Sequence, residues 1–392
     1  MTPLPRRAAV ALATSSAIGA FIAVSACGST QAPAGPSDCS HVELLVAASD
    51  YSSSVVCGAP RCELGGGTSG IDLGTDPQLA TSAGRTFFIS RNNDLVFELD
   101  PACGTPIARY SVHEEGRQGS VNPHDVAVAP DGALFVVLYN VPRIAILEGG
   151  KVTSSIDLSG AEFDPDGNPQ ADAIRIVSVA GVPKAFVTLQ RLDDLDKVNI
   201  LSSKQPSMML RIDVATRNVE ATIMLAGRNP FNTMAEHDGA LFLAEPGNFD
   251  DADEPLAGIE RFETATSTTR LLVTERELGG SVAEVAVTDG CGVAIVGGPE
   301  RNVNPTSLVT FDPTTGKVLS SAAAPVLGPT PGYDLQGLAW RGTSLYVGDR
   351  RRGAGGYPVH VFEREPGTCI LHAIAARSFD LPQRPVALRP AD

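Results

Sequence analysis

The chain has 392 residues and a net charge of −15, with 45 acidic against 30 basic side chains. An excess of acid on this scale excludes nucleic acid and anionic lipid surfaces as electrostatic partners. The length suits two average domains or one large repeat fold.

Arg6 and Arg7 precede an Ala-rich apolar run, Ala8 to Ala23, which reads as an export signal. It is not read as a membrane span, because Thr14, Ser15, Ser16 and Gly19 interrupt a run already shorter than the roughly 20 apolar residues that cross a bilayer. The following "VSAC", residues 24–27, resembles the lipobox of bacterial lipoproteins. That resemblance implies loss of residues 1–26, a lipid on Cys27, and export to the bacterial cell envelope, with the outer membrane expected. The alternative is an ordinary signal peptide with Cys27 as a structural thiol. Losing Arg6 and Arg7 deepens the charge to −17 (28 basic against 45 acidic). Residues 28–38, "GSTQAPAGPSD", read as an extended tether, leaving residues 39–392 as one domain.

That domain repeats one pattern: strand, Asp-Gly-like turn, strand, loop, strand ending in Asp, short turn, strand. In chain order, the apolar residues opening each second strand are Leu45, Thr86, Leu134, Ala185, Leu241, Val293 and Leu345. Gaps of roughly 40 to 56 residues match four-stranded propeller blades. The expected fold is therefore an all-β, seven-bladed β-propeller. The N-terminal "VELLVAASDYSSSVVC" lacks a first strand, and "LPQRPVAL", residues 381–388, is a first strand with no second. The two are expected to pair in blade one and close the ring. Long helical periodicity is absent, which argues against Rossmann and TIM architectures; a two-domain sandwich is the structural alternative.

Segments such as "RNPFNTMAEHDGALFLAEPG" and "VNPHDVAVAPDGALFVVLYN" resemble the repeats of YVTN-type β-propeller proteins of bacterial surfaces, over most of residues 79–376. The resemblance implies the fold; propellers host lyases, lactonases, receptors and scaffolds alike.

In that topology the Asp-Gly turns lie at the lower face, and the long loops collect at the upper one, where function is expected. Asp164, Asp166, Asn168 and Asp172 in the link into blade four, Asp193, Asp194 and Asp196 in that blade's upper loop, and Asp250, Asp251, Asp253 and Glu254 in the next form an acidic cluster. It is read either as a calcium site, with Asp164, Asp166, Asn168, Asp172, Asp193 and Asp194 as leading ligands, or as solvated turns in which Asp and Asn cap the backbone. An EF-hand is excluded, since Gly167 follows Asp166 directly and no Glu stands at the twelfth position.

The first strands begin with Gln78, Asp125, Asn232, Glu284 and Gln336, with His124 beside Asp125, and these should ring the channel mouth. Such a ring is structural lining with trapped water, a ligand site, or a catalytic set in which His124, Asp125 and Glu284 supply acid–base or metal chemistry for a hydrolase or lyase of the lactonase kind. Across the face, Arg350, Arg351 and Arg352, with Arg301 in the blade before, are a solvated loop or a carboxylate-recognising patch. "ELGGGTSG", residues 63–70, is a turn and not a nucleotide loop. Cys57 and Cys62 flank a turn-length spacer and are expected to pair; Cys39, Cys103, Cys291 and Cys369 have three possible connectivities. The leading reading is a monomeric surface lipoprotein that binds a protein or glycan of the envelope through its upper face; the alternative is a metal-dependent hydrolase or lyase at the channel mouth.

Overall fold

A computed structural model describes residues 42–60, 62, 71–196, 198, 201–248, 254–298 and 305–391. The signal, Cys27, Cys39, the tether, the 63–70 turn, Asp250, Asp251, Asp253 and Arg301 lie outside the described residues. No helix among the described residues is long and apolar enough to cross a membrane.

Seven antiparallel sheets stand around one axis. Six are consecutive meanders, of four strands in blades two to six and five in blade seven, whose innermost strands are Pro77–Ser82, Pro123–Val128, Ala171–Val179, Phe231–His237, Ser281–Thr288 and Leu335–Arg341 in blades two to seven. Blade one joins the chain's two ends: its innermost strand, Pro385–Pro390, pairs antiparallel with Leu44–Ser49, which pairs with Ser54–Ala59. The seven residues marked in the sequence all fall in the second strands of their blades. Blade one has three strands among the described residues, and blade seven carries an interrupted outer edge, where Leu371–Ala373 and Phe379–Leu381 pair with opposite ends of Tyr357–Arg364.

Second strands such as Leu44–Ser49, Ala240–Glu245 and Ser344–Asp349 are buried on both faces, because each blade is covered by a neighbour on either side. That is why they read as nearly continuous apolar runs. Outer strands such as Pro106–Ser111 and Val219–Met224 alternate half-buried and exposed residues, since one face meets solvent. Seven apolar clusters, one at each blade boundary, form the core. Those flanking blade one, around Leu388 and Tyr346 on one side and Ala387 and Phe88 on the other, show that the ring is closed.

Cys57 and Cys62 are bonded, with Cα atoms 5.2 Å apart, as their spacing implies. Cys291 is bonded to Cys369, tying blade six to blade seven. Cys103 is also disulfide-bonded.

One buried pair bears on stability. Glu245 and Glu260, on neighbouring strands of blade five, are both fully buried, and Glu245 has neither carboxylate oxygen matched by a donor. Glu260 accepts from Gly227 N (2.6 Å) and from Thr269 Oγ1. Burial, and then the negative charge of Glu260, pushes the Glu245 carboxyl well above its ordinary value. A folded-state value raised above the unfolded one favours folding fully only below the unfolded value, and that contribution is lost as pH rises through the folded one. Glu245→Gln is therefore expected to raise stability by about 1–3 kcal/mol near pH 8 and much less near pH 4, read as urea midpoints at the two pH values. An equal effect at both would show that no proton is held there.

Candidate functional site

The innermost strands of all blades except blade two are irregular at or near their upper ends. Their pairing shifts between Pro123 and Asp125, Ala171 and Ile174, Phe231 and Ala235, Val282 and Glu284, and Leu335 and Leu338, and opposite Ala47 and Ala48 in blade one. Bulges turn side chains away from the sheet pattern and toward the axis.

Two of the expected ring residues meet across the throat: Gln78 Nε2 of blade two donates to Asn232 Oδ1 of blade five at 2.8 Å. Asn232 takes a left-handed conformation (φ 70°) that asparagine tolerates, and also donates to Ala283 O (3.3 Å). Asp125 and Glu284 bind backbone instead of facing an open mouth. Asp125 accepts from Val126 N (2.9 Å), Ile174 N (3.0 Å) and Arg175 Nη1 (2.7 Å). Glu284 accepts from Gly337 N and Leu338 N, both at 2.9 Å, so its carboxylate joins blade six to the bulge of blade seven. Gly337 permits that bulge: its φ is 89°, and a Cβ there would lie 2.9 Å from the Leu388 side chain. Burial raises the Glu284 carboxyl, against which the two amides and Arg389 act.

His124 faces the upper mouth with a different partner from Asp125. Its Nδ1 lies 2.7 Å from Asp172 Oδ1, and its ring stacks on Tyr139 at 4.2 Å. Tyr139 in turn donates to Gln190 Oε1 (2.7 Å), and Gln190 donates to Pro230 O (2.9 Å). Burial pushes His124 well below its ordinary value and Asp172 up to about 8, so both members favour their neutral forms near neutrality and the pair holds one proton. Asp172 Oδ2 has no hydrogen-bond donor among the described residues. On the far side of the mouth, Gln336 Oε1 accepts from Arg350 Nη1 (2.9 Å), and the Arg350 guanidinium lies 5.0 Å from the centre of the Tyr51 ring. Arg351 forms a two-pronged pair with Asp349, which His360 also contacts. Burial alone would raise Asp349, but His360 and Arg351 hold it well below the usual carboxylate range. Arg352 lies over Tyr357. Of the arginine run, Arg350 is the member that borders the channel mouth.

The structure divides the acidic cluster. Asp172 belongs to His124. Asp193 and Asp196 pair with Lys204 (2.9 and 2.5 Å), and Asp193 Oδ1 also caps Leu195 N and Asp196 N. Asp164, Asp166, Asn168 and Asp194 remain neighbours: Asp164 Oδ1 accepts from Asp166 N (3.1 Å), and Asp166 Oδ1 from Asn168 N (3.0 Å). Asp164 is fully buried with Arg191 Nε at 3.6 Å, and burial brings it up to about 6 against the opposing hydrogen bond from the Asp166 amide; Asp194 is raised by burial and then by Asp166. No group of three or more His, Cys, Asp or Glu among the described residues is arranged to hold a metal ion. Glu254 accepts from Asn248 N (2.8 Å) beside Arg228.

The sequence reading missed Tyr139, Gln190 and the Asp172–His124 pair. A signal was present: a polar residue directly follows the apolar second strand in "LFVVLYN" and "AFVTLQR", where a simple strand would end in a turn residue. It missed as well a lower channel of about 380 Å³ lined by Arg175, Arg389, Glu236 and Trp340. A larger concavity, about 730 Å³, lies at the outer edge of blade two around Phe97 and Ile107, away from the axis.

No protein-family model matches the chain, and no curated protein matches it in sequence. Its fold is shared. The chain is similar to a putative 6-phosphogluconolactonase from Bacteroides uniformis (TM-score 0.53, 12% identity, 89% of this chain and 99% of that one). It is similar to the WD40 repeats of RRP9 (TM-score 0.51, 11% identity, 81% and 84%) and to virginiamycin B lyase from Staphylococcus aureus (TM-score 0.50, 11% identity, 76% and 83%). The protein is a seven-bladed β-propeller. At these identities the likeness carries architecture alone.

Proposed function

We propose that the protein is a partner-binding propeller held at the bacterial cell envelope by a lipid on Cys27, which meets a protein or glycan of the envelope through its upper face. One observation carries this reading. The upper loop of blade four exposes Leu195 (68%), Val198 (88%) and Leu201 (43%) amid Asp193, Asp194 and Asp196. Apolar side chains so exposed, rimmed by charge, mark a docking surface rather than a core. Three further features support it. Asp125 and Glu284, the candidate catalytic carboxylates, are engaged by backbone amides. Glu43 and Ala391 meet at the lower face, so the two ends of the described chain lie together on the side away from the upper loops. The disulfides fit an oxidising compartment.

The test compares partners cross-linked on intact cells by the wild type and by a Leu195→Ser, Val198→Ser, Leu201→Ser variant. Loss of a specific cross-linked species is expected, and an unchanged set sinks the reading. Calcium is proposed to order the neighbouring Asp164, Asp166, Asn168 and Asp194 turn. Melting temperature is then expected to rise by several degrees on moving from EDTA to calcium, and not in Asp166→Ala, because an ion bound only to the folded state stabilises it. No difference between the two conditions removes the ion.

A hydrolase or lyase reading retains one specific support, the His124–Asp172 pair beside Tyr139, which can hold and pass a proton at the mouth. It requires His124→Ala to abolish turnover of a lactone or ester while the melting temperature stays within a few degrees.

A further inference from the structure

Below the Gln78–Asn232 strut the channel widens into the cavity of about 380 Å³, within the range of small-molecule sites. Its wall carries two guanidinium groups. Arg175 is paired with Asp125. Arg389 is not paired with any carboxylate among the described residues; it donates to Leu388 O (2.7 Å) and to Thr233 Oγ1 (3.2 Å). Arg389 is half-buried, and a guanidinium partly withdrawn from water without an ion-pair partner is costly, a cost to which the neighbouring cation Arg175 adds. Burial first, and Arg175 after it, push the Arg389 guanidinium down, opposed by Glu284 and Asp125. Glu284 acts on Arg389 through its charge but forms no ion pair with it, its two oxygens accepting from blade seven's amides. The rest of the wall is mixed: Ala286, Leu338, Ala339 and Trp340 form an apolar stretch, and Thr233, Glu236 and Glu284 are among its polar members.

We infer that the lower channel binds a small organic carboxylate, whose anionic end pairs with Arg389 and whose apolar body lies along Ala286, Ala339 and Trp340. A guanidinium presents two parallel donors to a carboxylate, a match that an amide isostere cannot make. The site is separate from the upper face and independent of what that face binds.

Trp340 is the single tryptophan of the chain, so intrinsic fluorescence reports on this cavity. The protein is titrated with benzoate and hexanoate, and with benzamide and hexanamide as uncharged counterparts. A saturable change with the carboxylates, at least tenfold weaker with the amides, is expected. Arg389→Gln is expected to weaken carboxylate binding at least tenfold without lowering the melting temperature, because it breaks no ion pair among the described residues. If Arg389→Gln does not fold, Ala286→Phe, which fills the channel from its wall, is expected to abolish the response. Equal binding of amides and carboxylates, undiminished binding in either folded variant, or a response that never saturates overturns the assignment.

Discussion

Ending the chain after Gln383 is expected to leave no cooperatively folded protein. The removed strand, Pro385–Pro390, is the innermost member of blade one and supplies Ala387 and Leu388 to the clusters on either side of it. Its loss leaves Leu44–Ser49, buried in the closed ring, with one edge unpaired, which templates aggregation. A milder form separates packing from pairing: Leu388→Ala keeps the ladder and removes only side-chain volume, so a loss of about 2–5 kcal/mol is expected in urea unfolding. The truncated chain should elute as aggregate or unfolded in size-exclusion chromatography. A truncated chain that unfolds at the wild-type midpoint would show that the ring does not depend on this strand.

The second large effect is expected at Glu284. Replacing it with alanine leaves Gly337 N and Leu338 N without their acceptor, and a buried donor left unmatched costs about 1–3 kcal/mol. The expected loss is about 2–5 kcal/mol, reduced by whatever the burial of this carboxyl costs in the wild type. Glu284→Gln keeps one acceptor oxygen and should fall between the two. This outcome differs from that of a catalytic carboxylate, whose removal abolishes turnover and leaves the urea midpoint in place. An unchanged midpoint in Glu284→Ala would return Glu284 to the list of free channel groups.

The architecture was legible in the sequence because its signal is repeated. Leu45, Thr86, Leu134, Ala185, Leu241, Val293 and Leu345 each fall in a second strand whose burial forces an apolar run, and a pattern met seven times survives local irregularity. The roles of the channel residues were less legible. Their positions near the axis follow from blade topology, but which way Asp125 and Glu284 point depends on bulges at Pro123/Asp125 and Val282/Glu284, and a single extra residue in a strand leaves no periodic trace. Cysteine pairing divides along the same line. Cys57 and Cys62 are five positions apart, so local geometry suffices, whereas Cys291 and Cys369 are separated by 78 and meet because blades six and seven are neighbours. Arg389 was passed over for a related reason: it lies at the end of a strand recognised only as the closing piece, and nothing near it in sequence shows that Arg175 faces the same cavity.

Ala391 N donates to Glu43 O at 3.1 Å, so the first and last described strands end side by side. The covalent order of the seven sheets is then a matter of where the polypeptide happens to be interrupted. Linking the two ends and reopening the chain at the exposed Asp131–Gly132 turn should yield a circular permutant with the same wheel, in which blade one is a continuous meander and blade three becomes the seam.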